Sequence, residues 1–367
     1  MCSSDLQFQP IPRVYGRMGY FPPIPVTARP YTQLVGNDQY LVMKLCLGYG
    51  PLDIGGVVVG SDATKITQAT SLSSVDGQYP ITIGDTPITA FDGVTFEIGR
   101  PTDTTIYTNE IDEQQIAWTS KSNTDSIYSG APGQTVTDNL TATRVTAPGC
   151  TGFSIDLTGN IFSTNSKGSY QVLTINWTLQ WRVTGTSTWS SRNFTMSTTA
   201  GKPQTIRIDE AVTGLSNTGT QTYDVKLTRV STTIPDFEGL NTEVAWTALR
   251  STRDRKAFGV AGTVVMDLKI KATDQLQGAL DNVRLIATSV LPVYDGTSWS
   301  DQATRNPAWV SADVLCGSAN RRPLTHASLN LDAYQSWADE ADAAGRHYDE
   351  VMDSDQTTLQ RLAAVHA

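Results

Sequence analysis

Histidine is scarce in this sequence, with three residues in 367, and all of them (His326, His347 and His366) fall in the C-terminal part. Most of the chain therefore lacks the commonest acid–base group. No GxSxG elbow, Walker loop, HExxH or GxGxxG is present. Gly48-Tyr49-Gly50 lacks a third glycine and sits among strand-like residues, which excludes a dinucleotide loop. The four cysteines, at 2, 46, 150 and 316, include no CxxC pair, so neither a metal site nor a disulfide framework is expected. Cys46 and Cys316 lie in apolar stretches and read as small buried hydrophobes; Cys150, in PGCTG, is expected to be exposed. Charge is also sparse, at 17% of residues with a net −9. A nucleic-acid binder needs a Lys/Arg surface to displace counterions, and the one basic cluster, Arg250–Arg253–Arg255–Lys256, reads as a solvated turn. No apolar run approaches the roughly 20 residues that span a bilayer. MCSSDL has neither the basic nor the apolar region of a secretory signal, so a soluble, unexported protein is the expectation.

What is abundant is Thr and Ser beside short alternating apolar runs, a pattern suited to strands with a polar outer face. Residues 1–35 are dense in Pro and aromatics, including Tyr15, Tyr20, Phe21 and Tyr31, and read as an extended arm crossing another surface. Residues 36–135 carry short buried strands around Gly48–Pro51 and Gly84-Asp85, then a polar stretch from 101 that ends at a domain boundary near 135. Over 136–234 the pattern changes. Leu173, Ile175, Trp177, Leu179, Trp181 and Val183 alternate with polar residues, so one long strand has an aromatic-rich core side. Similar runs around Phe153, Ile206 and Tyr223 predict a β-sandwich of immunoglobulin or fibronectin type, with Gly214-Leu215 and Tyr223 resembling a tyrosine corner. Residues 235–303 return to strands, with Met266, Leu268 and Ile270 alternating with charge as in a half-exposed strand.

The segment 304–367 holds the helices. Asn306 caps, Pro307 opens and Gly317 closes the first. A second begins near Asp332 with a capping-box pair to Gln335. A third starts near Thr357 and runs to Ala367 without a stop signal, as expected of a piece of a longer chain. The fold class is thus mainly β and multidomain: β-rich α+β domains, an inserted sandwich and a small helical C-terminal part.

Two other function classes were weighed from the residues. A glycan hydrolase needs two carboxylates roughly 5–10 Å apart across a cleft. Asp339, Glu340 and Asp342 are adjacent on one helix and read as its solvated face, as do Asp349, Glu350, Asp353 and Asp355. A calcium site at Asp353 and Asp355 lacks the glycine and distal glutamate of a calcium loop. A carbohydrate-binding module would use Trp177, Trp181 and Trp189, but the first two share parity with the core residues. Only Trp189, in a turn, is placed to be exposed.

Three blocks carry a resemblance to a known family. Leu47-Gly48-Tyr49-Gly50-Pro51 with Gly84-Asp85-Thr86-Pro87 resembles the front block of the host-specificity protein J family of long-tailed bacteriophages. Thr273–Leu276 through Val290–Val293 resembles its next segment. Arg305-Asn306-Pro307 and Trp309, with Asn320-Arg321-Arg322-Pro323, resembles the block after that. The resemblance implies a tail-tip hub: a homotrimer that closes the tail and holds the distal tail, tape-measure and tip-assembly proteins. It further implies a virion location after assembly in the host cytoplasm, with no enzyme activity, cofactor, metal or specific nucleic-acid recognition. These motif residues would be structural.

Overall fold

The computed structural model describes residues 11–36, 38–120, 140–198, 204–216, 219–233, 239–272, 283–320, 322–353 and 356–366. They fall into two compact units. The first draws on Met1–Pro30, Leu41–Thr108 and Lys256–Ala367, the second on Tyr31–Tyr40 and Asn109–Arg255. The architecture is mainly β with a small helical C-terminal part. Among the described residues no helix is long and apolar enough to cross a membrane.

The first unit is built on two sheets. One runs, in order, Glu350–Met352, Arg13–Tyr15, Asp38–Tyr49, Thr263–Lys271, Val94–Gly99 and Ile66–Thr67. The other centres on the long strand Val283–Tyr294, which pairs with Arg17–Tyr20, Leu52–Ile54, Ile81–Ile83 and Trp299–Ala303. Leu45, Leu47, Phe96, Met266 and Leu268 from the first sheet share one core with Leu52, Ile54, Ile81 and Leu285 from the second.

Two expectations fail here, each for a physical reason. The strand Thr263–Lys271 is central, not half-exposed. Its Asp267 is fully buried and ion-paired with the equally buried Lys44, and it accepts a hydrogen bond from Tyr107 N at 2.8 Å. Burial raises the Asp267 carboxyl despite Lys44; a charge on this strand marks a partner, not solvent. Nor is the proline-rich start an extended arm laid across another surface. Pro12 and Pro22 border two short strands instead of interrupting them, so Arg13–Tyr15 and Arg17–Tyr20 enter the two sheets. Tyr15 and Tyr20 are buried inside this chain, while Phe21 stays exposed.

The second unit is the β-sandwich. Its smaller sheet runs Thr141–Val145, Tyr223–Thr233, Thr174–Val183, Ser190–Ser197. In the larger, Asn109–Ser120 pairs with Val244–Lys256, which pairs with Cys150–Thr164, whose other neighbour is Gln204–Thr213. The alternation over 173–183 does place Leu173, Ile175, Trp177 and Leu179 inward. Trp118 meets Trp177 and Trp246 edge-on at 6.5 and 6.4 Å. The tyrosine corner is formed as well: the Tyr223 hydroxyl donates to Ser216 O, and Leu215 packs against the core.

The boundaries differ from 136–234. Asn109–Ser120 and Val244–Lys256 complete the larger sheet, so the unit reaches further along the chain on both sides. The first of these reads as polar linker because its first half is acidic: Glu110 and Asp112 pair with Arg253, and Glu113 with Arg250. The basic cluster is therefore no solvated turn. It lies in a strand, and Arg250 is buried; the side chains of Arg255 and Lys256 lie outside the described residues. The polar stretch 121–135 also lies outside them. Strand placement departs from the immunoglobulin order too. The strand Thr141–Val145, which precedes Cys150–Thr164, pairs with Tyr223–Thr233 in the smaller sheet. The position beside Cys150–Thr164 is taken instead by the returning Val244–Lys256. Cys150 begins a strand and is buried, against its expected exposure.

Candidate functional site

The motif residues are best followed from the glycines outward, all within the first unit. Gly48 has φ +115°, and a Cβ there would sit 2.4 Å from Pro12 O. A Cβ on Gly50 would lie 2.5 Å from Val264 Cγ2. Lacking side chains, both let neighbouring chain close in, and Tyr49 N donates to Pro12 O at 2.9 Å. Beside them Leu47 is core and Pro51 O accepts from Val290 N. This contact sets the strand Arg13–Tyr15 alongside Tyr49.

Arg13 then joins the glycine block to the helices. Its guanidinium donates to Gly50 O at 3.3 Å and to Asp313 Oδ2 at 2.8 Å. Tyr15 OH donates to the same carboxylate oxygen at 2.9 Å. Asp313 lies on helix α1, Pro307–Cys316, and all three side chains are buried. Burial and the neighbouring Asp313 charge hold the Tyr15 hydroxyl far above its ordinary range, so it stays a donor. The group is a neutralised buried pair with a third hydrogen bond, the geometry in which buried charge is tolerated.

The C-terminal block extends this joint. Asn306 caps α1 as expected, accepting from Ala308 N at 3.0 Å. Its amide also donates to Ala338 O at 2.9 Å and Asp342 Oδ1 at 2.8 Å, tying α1 to α2, Leu331–Ala343. Pro307 takes the first turn, and Trp309 packs edge-on to Trp299 at 5.8 Å. Arg305 forms a two-point pair with Asp349, whose Oδ1 also accepts from Arg17 N at 2.7 Å. Asn320 donates to Val314 O and Leu315 O, both at 3.1 Å, holding the end of α1. Replacing Asn306 with alanine removes the cap and both links to α2. We expect a loss of about 2 kcal/mol, read by chemical denaturation; a change within experimental error would show the cap to be dispensable.

Not every motif residue joins in. Gly84, Asp85, Thr86 and Pro87 make a tight hairpin against Thr82 and Ile83, outside the hydrogen-bonded joint. Arg322 and Pro323 are exposed. Arg321 and the Thr273–Leu276 block lie outside the described residues, while Val290–Val293 sits in the strand Val283–Tyr294.

Sequence reasoning missed the residues that close the joint. Asp313 is a lone charge in the otherwise apolar PAWVSADVLC, which is the signal that could have found it. Asp349 was expected on a solvated run, but it is held by Arg305 and Arg17 N. The second helix is capped by Asn330, not Asp332, and Gln335 reaches forward to Asp339. The third helix, α3, spans Thr358–Val365 with a capping box from Thr357 to Gln360 and a C-cap at His366, so it stops before the chain's last residue.

The remaining candidates are placed as follows. His326 stacks on Trp299 at 4.1 Å. His366 lies 4.7 Å from Trp337, with Nε2 3.2 Å from Ser311 Oγ. Ser311 is fully buried, and its Oγ lies at 3.2 Å from the Tyr334 hydroxyl as well. His347, Asp339, Glu340, Asp342 and Asp353 are exposed, and Asp355 lies outside the described residues. Among the described residues no three His, Cys, Asp or Glu groups are placed to hold a metal ion. Trp189 is half-buried with Arg182 and Lys226 against its ring at 4.4 and 4.5 Å, so cations already occupy the aromatic surface a sugar would use. No family model matches the chain, and no curated protein matches it.

Proposed function

We propose that the chain is a structural component of a long-tailed phage tail tip, working as part of a trimeric hub that closes the tail and holds its tip partners. The supporting observation is the Arg13–Tyr15–Asp313 joint. Two motif blocks some 250 residues apart in sequence meet there, through Gly50 O on one side and α1 on the other. Buried pairs, caps and close backbone contacts fit a rigid assembly part, whose work needs complementary surfaces in place of a cleft. The reading is tested by sequencing the DNA that flanks the gene. Tape-measure and tail-assembly genes alongside are expected; a metabolic operon on both sides would sink it.

A further inference from the structure

The outer face of the larger sandwich sheet carries a charge cluster that is covered. Asp156 and Asp209 stand opposite one another in the ladder between Cys150–Thr164 and Gln204–Thr213. Arg250, on the neighbouring strand, grips Asp156 with both terminal nitrogens. Its Nε donates to Glu113 at 2.8 Å, and Nη1 lies 3.7 Å from Asp209 Oδ2. Three carboxylates thus share one guanidinium, with side chains 3–16% exposed. Arg207, on the same face, lines a cavity with Asp156 but pairs with none of the three. Glu210, next to Asp209, is matched by Arg192 from the smaller sheet.

The cover is the hairpin Tyr31–Tyr40, which belongs to this unit although its flanks in sequence belong to the other. Thr32 donates to Glu113 Oε2 from its backbone N at 3.2 Å and its hydroxyl at 3.4 Å. On one side of that contact Tyr31, Gln33 and Leu34 wall a cavity of about 370 Å3 with Asp209 and Arg250. On the other, Thr32, Leu34 and Gln39 wall one of about 170 Å3 with Asp156 and Arg207. The hairpin's own ionisable groups are Tyr31, Asp38 and Tyr40, none of them a cation that could neutralise the cluster. It is therefore loosely packed over charges that water would stabilise.

We infer that this hairpin is a proton-linked clasp: Asp209 takes up a proton as the hairpin closes on the sheet and releases it as the hairpin lifts, so mild acid favours the closed state. Burial, followed by repulsion from Asp156, pushes the Asp209 carboxyl up to about 6. Burial raises Asp156 as well, against the pull of Arg250. Lifting the hairpin hydrates Asp209 and returns it towards the ordinary value of about 4. The closed state's proton-linked advantage is then complete below about pH 4, shrinks as pH rises through 6, and is gone by about 7.

Hydrogen exchange of the full chain, followed by mass spectrometry and corrected for intrinsic rates, reads the clasp directly. Protection of peptides covering 31–40 is expected to fall about tenfold between pH 5.0 and 7.5, while peptides from Thr174–Val183 keep theirs. In D209N, which cannot ionise, the 31–40 profile should be flat, at a protection no lower than that of the wild type at pH 5.0. Flat protection in the wild type overturns the inference, and so does a tenfold change that survives in D209N. The wild-type profile alone decides the matter if the variant does not fold.

Discussion

Replacing Asp313 with alanine is expected to destabilise the first unit by about 3–5 kcal/mol, the range for removing one partner of a buried ion pair. The loss does not come from the pair's net attraction, which desolvation largely offsets. It comes from the Arg13 guanidinium, left buried beside Gly50 O with its charge unmatched, and from the Tyr15 hydroxyl, left without its acceptor. The distinguishing measurement is a double variant, R13M/D313L, compared with each single change in urea denaturation. Removing both charges together should recover the part due to the stranded guanidinium, leaving only the cost of the Tyr15 hydroxyl without its acceptor. If D313A alone costs under about 1 kcal/mol, the joint is not the buried, closed network described above.

The second large effect belongs to the sandwich. Trp177→Ala should cost about 3–5 kcal/mol, as for other large-to-alanine changes in a core. Trp177 is fully buried, edge-on to Trp118 and stacked at 6.4 Å on Phe194, so its loss opens a cavity that these two aromatic neighbours cannot easily fill. Urea denaturation reads this too. A mild effect, under about 1 kcal/mol, would instead suit a tryptophan displayed for a ligand. The same cluster shows that residues 136–234 do not hold the whole core: Trp118 and Trp246, both from flanking strands, belong to it.

The parts legible in sequence were those with local causes. Period-two alternation gave the strand Thr174–Val183 because one face is core and the other Thr-rich. The Asn-Pro…Gly punctuation gave α1, since caps act over a few residues. The tyrosine corner was visible from Leu215 and Tyr223 despite unusual spacing. The parts not legible depend on partners far along the chain. Asn109–Ser120 hid behind its acids until Arg250 and Arg253 were seen to meet them. Asp267 read as exposed because its partner Lys44 is more than two hundred residues away. The fate of Tyr15 and Tyr20 depended on strands at the other end of the sequence. Which strand lies beside Cys150–Thr164 is a matter of topology, and no periodicity encodes it. Sequence singled out the motif blocks on both sides of the joint, and Tyr15 as an aromatic in need of burial, but not Arg13 or Asp313, which connect them.

The proposed role as a structural part of a phage tail tip is tested by electron microscopy of virions from cells that carry the gene. Gold-labelled antibody raised against the purified chain should decorate the distal end of the tail, on intact particles or on tails separated from their heads. Particles without gold at the tail end, together with the protein recovered wholly outside the virion fraction, would contradict it.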